Sequence, residues 1–437
     1  MRNNLWLRRF PAALFCTLPY KRLDGGFTIP KPGVGKTRRA GFQEWLLTGS
    51  ALPPTAGLRS FFLAGFECAA QKRGDGRRLD LLASTRHDLH ARADYAAVAA
   101  HGMRAARDGM RWHRIEVSPG FYDWSSVAPM AKAAAETGIQ VIWDLCHYGY
   151  PDKLDIWSAS FPERFARFAK AATRFLRNES DDVPYFCPVN EISYWAWAGG
   201  DMALFNPTAR RRGAELKRQL VRAAIAATDA IREVEPRARF ICAEPAINVV
   251  PASARQADQA AAENYRLSQF EAHDMLAGRV APELGGSPDK LDIVGLNFYP
   301  DNQWVLGGGA IPMGHHDYKP FSEMLAETHE RYGRPVIVSE TGAERSARPA
   351  WLNYVSGEVA AARQSGVPVE AVCLYPILDY PGWENDRTCE VGLLGSPDES
   401  GRRAVYQPLA EELERQQARF AAAAGSASPP LLRRVAS

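Results

Sequence analysis

Residues 185–197, YFCPVNEISYWAW, are the stretch on which the fold turns. A short apolar run stops at Asn190 and Glu191, and aromatic residues follow at once. That is how a buried strand delivers an amide and a carboxylate to an aromatic-walled pocket. Alone, the dipeptide has a bland reading as an ordinary loop carboxylate. It gains weight only if the chain supplies a second strand-end carboxylate and a scaffold that brings the two together.

Working outward from this stretch, short apolar runs alternate with helical patterns from Ser60 onward. FFLAGFE, MRAARDG, QVIWDLCHYG, YFCPVNE, ARFICAEP, KLDIVGLNFYP, RPVIVSETG and VEAVCLYPILDY read as strands. Helical segments separate them. In AELKRQLVRAAIAATDAIREV, residues Leu216, Leu220, Val221, Ala224, Ile225 and Ile231 form one apolar stripe, and the arginines at 210–212 with Lys217 are left to water. Strands buried on both faces and separated by helices imply a parallel sheet, and eight such units imply a closed (β/α)8 TIM barrel. The expected organisation is one catalytic barrel over residues 59–417. Residues 1–58, rich in Arg, Pro and Gly, read as a disordered or linker-like leader, and residues 418–437 as a disordered tail.

Composition narrows the class. Hydrophobic residues at 46% and charged residues at 24% are those of a globular protein. The net charge of +3 is a small difference between 53 basic and 50 acidic residues, and no basic block is interleaved with stacking aromatics, so nucleic acid is not an expected partner. No apolar run is long enough to span a bilayer, so no membrane association is expected. Seven cysteines without C-x-x-C pairing suggest neither a disulfide framework nor a zinc site, which favours a reducing, cytoplasmic setting. PKPGVGKT fails as a phosphate loop because Pro30 stands where a glycine is required. The N-terminal apolar run is crowded by Arg8 and Arg9 and lacks a small-residue cleavage site, unlike a signal peptide.

Active sites of this fold gather at the C-terminal strand ends. Those ends supply Glu67, Arg107, His147, Asn190 with Glu191, Glu244, Asn297 with Tyr299, Glu340 and Asp379. Burying so many ionisable groups costs several kcal/mol each unless they pair and serve a purpose. Two carboxylates across a barrel mouth can cleave a glycosidic bond, Glu191 donating a proton to the leaving oxygen and Glu340 attacking the anomeric carbon. A retaining pair sits roughly 5 Å apart. Arg107 beneath Glu340 would keep it ionised, while burial and the neighbouring charge would raise Glu191. Asn190 can bond the sugar hydroxyl beside the reacting carbon, and Tyr299 can orient the nucleophile.

HGMRAARDGMRWHRI, GIQVIWDLCHYGYPDKL, VNE, LDIVGLNFY and VSETG, in this order, resemble glycoside hydrolase family one, the β-glucosidase-like branch of the retaining (β/α)8 glycosidases. The resemblance covers most of residues 60–395. It implies acid/base Glu191, nucleophile Glu340, the clan arginine at Arg107, a sugar-binding histidine at His147, and site residues Asn297 and Tyr299. It implies a small β-glycoside as substrate and no cofactor or metal. The departures concern sugar recognition. Tyr375 replaces the tryptophan that floors the sugar site, Gly382 stands where a glutamate grips the outer hydroxyls, and Trp383 is retained. Ile192 replaces the usual proline and Thr341 the usual asparagine, and Glu67, rather than Gln71, is the expected lining group of the first strand. The sugar, the acceptor and the oligomeric state stay open. Two rivals remain: a sugar-binding or regulatory barrel with weak turnover, or a transglycosylase. A third reading gives Glu244 or Asp379 the role of base in isomerase or lyase chemistry. His315 and His316 lie beside a glycine-rich loop that reads as a lid rather than a metal site.

Overall fold

The computed structural model describes residues 57–426. The expected leader, apart from its last two residues, and the end of the expected tail lie outside the described residues. Eight parallel strands close into a barrel: β1 (Phe62–Gly65), β2 (Ala105–Gly109), β3 (Gln140–Asp144), β4 (Tyr185–Cys187), β5 (Arg239–Pro245), β6 (Ile293–Asn297), β7 (Val336–Thr341) and β8 (Val369–Leu374). Each strand pairs with its sequence neighbours, and β1 closes the ring on β8. All eight strands expected from the sequence are present.

The principal helices are α1 (His87–Ala100), α2 (Ala128–Thr137), α3 (Ser160–Glu179), α4 (Gly213–Arg232), α5 (Gln256–Leu267), α6 (Phe321–Tyr332), α7 (Ala347–Gln364) and α8 (Gln407–Ser426). One follows each strand. The last corrects the expected boundary: α8 runs through residue 417, so residues 418–426 continue a helix and are not an irregular tail. Alanine-rich sequence reads as low complexity, yet alanine is the best helix former.

The strands sort their side chains by alternation. Leu63, Ala105, Ile142, Tyr185, Ile241, Ile293, Ile337 and Ala371, one from each strand, form a buried cluster in the barrel lumen. The opposite faces, with Phe62, Ala106, Phe186, Phe240, Val294 and Val372, join the helices in a larger core. The stripe expected on α4 is buried throughout and packs with α3, whose Phe161, Phe165, Phe168, Ala172 and Leu176 recur at helical spacing. α2 stops at Gly138, whose φ of +72° lets its N–H bond back to the helix.

One polar cluster lies in the outer core. Asp108, on the outward face of β2, accepts bonds from Tyr95 Oη at 2.6 Å and His87 Nε2 at 2.8 Å. His87 Nδ1 meets Asp94 at 2.8 Å, and Arg403 reaches Asp94 at 2.7 Å. Burial pulls His87 down, but Asp108 and Asp94 override it and push its pKa up to about 9. The cluster ties α1 to the barrel wall and to the segment holding Arg403.

Candidate active site

Alternation carries polar side chains into the lumen at the C-terminal end of the barrel. Two residues beyond Ala105 comes Arg107, two beyond Ile142 comes Asp144, and four beyond Ile293 comes Asn297. Arg107 is the hub. Its Nε and Nη2 grip both oxygens of Asp144 at 2.8 and 2.7 Å, Nη2 also donates to Asn190 Oδ1 at 2.7 Å, and Nη1 donates to Glu340 Oε1 at 2.7 Å. A buried guanidinium is tolerated only with such complete partnering.

Glu340 reaches this hub through an irregularity. In strict alternation with Ile337, it would face the helices. The register of β7 slips after Val338 against both neighbours, so that Glu340 pairs with Asn297 and Thr341 with Leu374. A bulge of this kind re-aims a side chain. The carboxylate therefore enters the lumen, where Oε2 accepts from Tyr299 Oη at 2.8 Å.

Glu191 is aimed by a different device. It lies just past β4 with φ +46°, the left-handed region that is costly for a non-glycine residue, and its N–H is anchored on the Ala243 carbonyl at 3.0 Å. Its carboxyl is held at both ends. Oε1 accepts from Asn297 Nδ2 at 2.8 Å, and Oε2 accepts from Tyr148 Oη at 2.5 Å. Asn297 is itself fixed because its Oδ1 accepts from Ser339 Oγ at 2.6 Å. Both carboxyl groups are buried, and burial pushes both above the ordinary carboxyl range. Their surroundings differ: after burial, the largest influence on Glu340 is Arg107, which pulls it down, whereas on Glu191 it is the neutral donors Tyr148 and Asn297, which pull it down ahead of the upward push of Glu244 and the weaker downward pull of Arg107.

The remaining expected residues line the same lumen. His147 Nδ1 meets Asp144 at 3.1 Å and Asn190 donates to Nε2 at 2.9 Å, which assigns the proton to Nδ1. Tyr375 is buried with its hydroxyl 3.4 Å from Glu67 Oε1 and 3.5 Å from His147. Its ring fits only because β1 has glycine there: a Cβ on Gly65 would lie 2.1 Å from Tyr375 Cδ2. Glu67 also accepts from the Ala69 N–H at 2.9 Å, while its Oε2 is buried with no partner among the described residues. Trp383 is half-buried, edge-on to Tyr148 at 5.8 Å, and its indole N–H has no partner among the described residues.

Some expected strand-end residues stand apart. Glu244 accepts from the Ser193 N–H at 3.0 Å, and burial pushes its pKa up to about 7. Asp379 accepts from Gly392 N–H at 2.8 Å, tying a loop. Trp143 and Trp195 are core residues, the latter donating its indole N–H to the Asn206 carbonyl at 2.8 Å. Among the described residues, two groups offer metal-type donors: the buried Cys68, Asp144 and His147, and the half-buried His315 with the exposed His316 and Asp317. In the first, Asp144 already gives both oxygens to Arg107. Asp144, Tyr148 and Ser339 are site residues that the sequence does not single out. Asp144 had a signal, since it shares the inward phase of Ile142 on the strand beside Arg107.

No protein-family model matches the sequence, and no curated protein matches it. Solved structures do. The AHE enzyme from Alicyclobacillus herbarius aligns with a TM-score of 0.65 at 19% identity, over 77% of this chain and 87% of that one. A family 1 β-glucosidase from Thermotoga maritima aligns with 0.62 at 18%, over 76% and 87%. A β-glucosidase from the same organism in complex with castanospermine aligns with 0.66 at 16%, over 82% and 98%. These likenesses establish the fold: a (β/α)8 barrel of the form those structures have. Among the described residues, no helix is long and apolar enough to cross a membrane.

Proposed function

We propose that this chain is a retaining β-glycoside hydrolase that acts on a small carbohydrate substrate through Glu340 and Glu191. The observation that carries the reading is the asymmetric partnering of two buried carboxyls in one network. Glu340 sits on the guanidinium of Arg107 and under the hydroxyl of Tyr299, whereas Glu191 has only neutral donors. In this reading the pair titrates as one unit with its proton on Glu191, because Arg107 touches Glu340 directly and favours its ionised form. Glu340 attacks the anomeric carbon, and Glu191 gives its proton to the leaving oxygen. Water then attacks the glycosyl-enzyme as Glu191 takes back a proton and Glu340 is freed.

Asn190, fixed by Arg107 and His147, presents its amide to the sugar, and His147, Asn297, Glu67, Tyr375 and Trp383 line the remainder. The two carboxyls supply the proton transfer and the covalent chemistry, so the reading calls for no cofactor or metal. The likeness to β-glucosidase structures supports the substrate class but does not name the sugar.

The test is Glu340→Ala assayed with activated aryl β-glycosides. Turnover should vanish, and added azide should restore a product of inverted configuration. Undiminished turnover in that variant would overturn the assignment.

A further inference from the structure

Alternation on β5 turns Ile241 and Ala243 into the lumen and Glu244 outward, away from the space that Glu191 and Glu340 share. Its carboxyl is nonetheless buried, and it enters no ion pair among the described residues. Burial raises its pKa, and the Lys217 ammonium, already paired with Glu271, offsets this only from a distance. A carboxyl taken out of water in this way is costly unless its bonds serve something.

What it holds is the backbone that carries Glu191. Both oxygens face the Ser193 N–H, Oε2 at 3.0 Å and Oε1 at 3.3 Å. One residue earlier on β5, the Ala243 carbonyl accepts from the Glu191 N–H at 3.0 Å. β5 therefore grips the turn on both sides of Ile192, by main chain at 191 and by side chain at 193. Between the two grips lie the φ of +46° and ψ of +61° of Glu191, a left-handed conformation that persists in a non-glycine residue only where the surroundings hold it. A change in those angles would carry the Glu191 carboxyl off Asn297 and Tyr148, because the side chain leaves from the same Cα.

We propose that Glu244 is a positioning residue for the general acid: its grip on the Ser193 N–H holds the left-handed turn that aims the Glu191 carboxyl. The inference rests on the proposed role of Glu191. It gives Glu244 a part in turnover without contact with the sugar, acting from the outer face of the barrel wall.

The test uses the full-length chain and Glu244→Leu, which fills the volume and removes the acceptor. Each protein is assayed on the phenyl and 2,4-dinitrophenyl β-glycosides of one sugar that wild type hydrolyses. Phenolate needs a proton in order to leave, whereas dinitrophenolate leaves without one, so the phenyl substrate alone reads the aim of the acid. In Glu244→Leu, kcat/KM for the phenyl glycoside should fall about 100-fold, the scale of a misplacement of about 1 Å, while kcat/KM for the dinitrophenyl glycoside stays within about three-fold. On the dinitrophenyl glycoside kcat should fall, and azide, which attacks the glycosyl-enzyme without a general base, should restore it. Glu244→Gln keeps an acceptor for the Ser193 N–H and should recover most of the lost phenyl rate. If Glu244→Leu melts early, Glu244→Met serves instead. An equal loss on both substrates, or a loss on neither, overturns the positioning role. So does a Gln variant as poor as the Leu variant. Failure of the glycosidase reading itself would show separately, as turnover that survives Glu340→Ala.

Discussion

Arg107 Nη1 lies 2.7 Å from Glu340 Oε1 while the same guanidinium grips both oxygens of Asp144, so one buried cation serves two buried carboxylates. Replacing it by Met leaves Asp144 with His147 and Glu340 with Tyr299 but takes away the cation they share, and breaking a buried pair from one side costs about 3–5 kcal/mol. Arg107→Lys keeps the charge but loses the planar fork that meets Asp144, Asn190 and Glu340 together. Since Arg107 lowers the pKa of Glu340, weakening that contact raises it. The acidic limb of the kcat/KM profile of Arg107→Lys should therefore move to higher pH. A pH–rate profile on an aryl β-glycoside, with a melting curve, checks both effects.

Glu244 is a further buried strand-end carboxyl, against which the proposed pair of Glu191 and Glu340 can be tested. Its folded pKa is about 7, above the reference value of 4.5, with burial as the largest cause. A carboxyl raised on folding contributes stability that is complete below its unfolded pKa and is lost as pH rises through the folded one. Glu244→Gln keeps an acceptor for the Ser193 N–H and removes the charge. Relative to wild type, it should gain stability progressively between about pH 4.5 and pH 7, by about 3 kcal/mol at most. Activity should survive, since Glu244 makes no contact with Arg107 or Tyr299 among the described residues. Denaturant midpoints across that pH range and a rate at pH 6 read the two outcomes, and loss of all turnover would favour a base role for Glu244.

The barrel was legible because its strands are apolar on both faces and spaced by helices, and the polar strand ends pointed to one mouth. Arg107 was legible as the residue beneath Glu340 because alternation on β2 carries it inward with Ala105. How Glu340 gets in was not, since the bulge after Val338 reverses the phase that alternation assigns, and one strand's sequence does not reveal its pairing. Tyr148 was hidden for another reason. An aromatic after a strand reads equally as core or as a stacking surface, and only the left-handed backbone turns its hydroxyl to Glu191. The helix through residue 426 was missed because alanine repeats carry no amphipathic signal to oppose a low-complexity reading.

The His87 cluster should give the fold an alkaline limit. Its folded pKa of about 9 lies above the reference value of 6.5, because Asp108 and Asp94 outweigh burial. The associated stability is complete below about pH 6.5 and is lost as pH rises through about 9. His87→Ala leaves Asp108 with the Tyr95 hydroxyl and the Gly109 N–H but no cation, and should cost about 3–5 kcal/mol at pH 6 but less at pH 10. Chemical denaturation of wild type and variant at the two pH values tests this. A difference that does not shrink at high pH would mean that His87 is neutral and acts by packing alone.

Gly65 and Tyr375 should prove coupled. A methyl group at 65 would lie 2.1 Å from Tyr375 Cδ2 and 3.0 Å from Cys373 Sγ, closer than any relaxed contact. Neither neighbour can retreat easily, since both are buried in the lumen cluster. Gly65→Ala should therefore destabilise the protein by about 1–3 kcal/mol, the range for overpacking a filled core. It should also displace the Tyr375 hydroxyl from Glu67 and His147 and so weaken sugar binding, raising KM more than it lowers kcat. Tyr375→Ala alone costs stability by opening a cavity, about 3–5 kcal/mol for a large aromatic. In the double variant the new methyl enters the space that the ring has left, so the two losses should sum to more than the observed one. A coupling energy of about 1 kcal/mol or more in a double-mutant cycle, measured by urea unfolding, is the expected result. Strict additivity would show that β1 shifts to admit the methyl group without disturbing the ring.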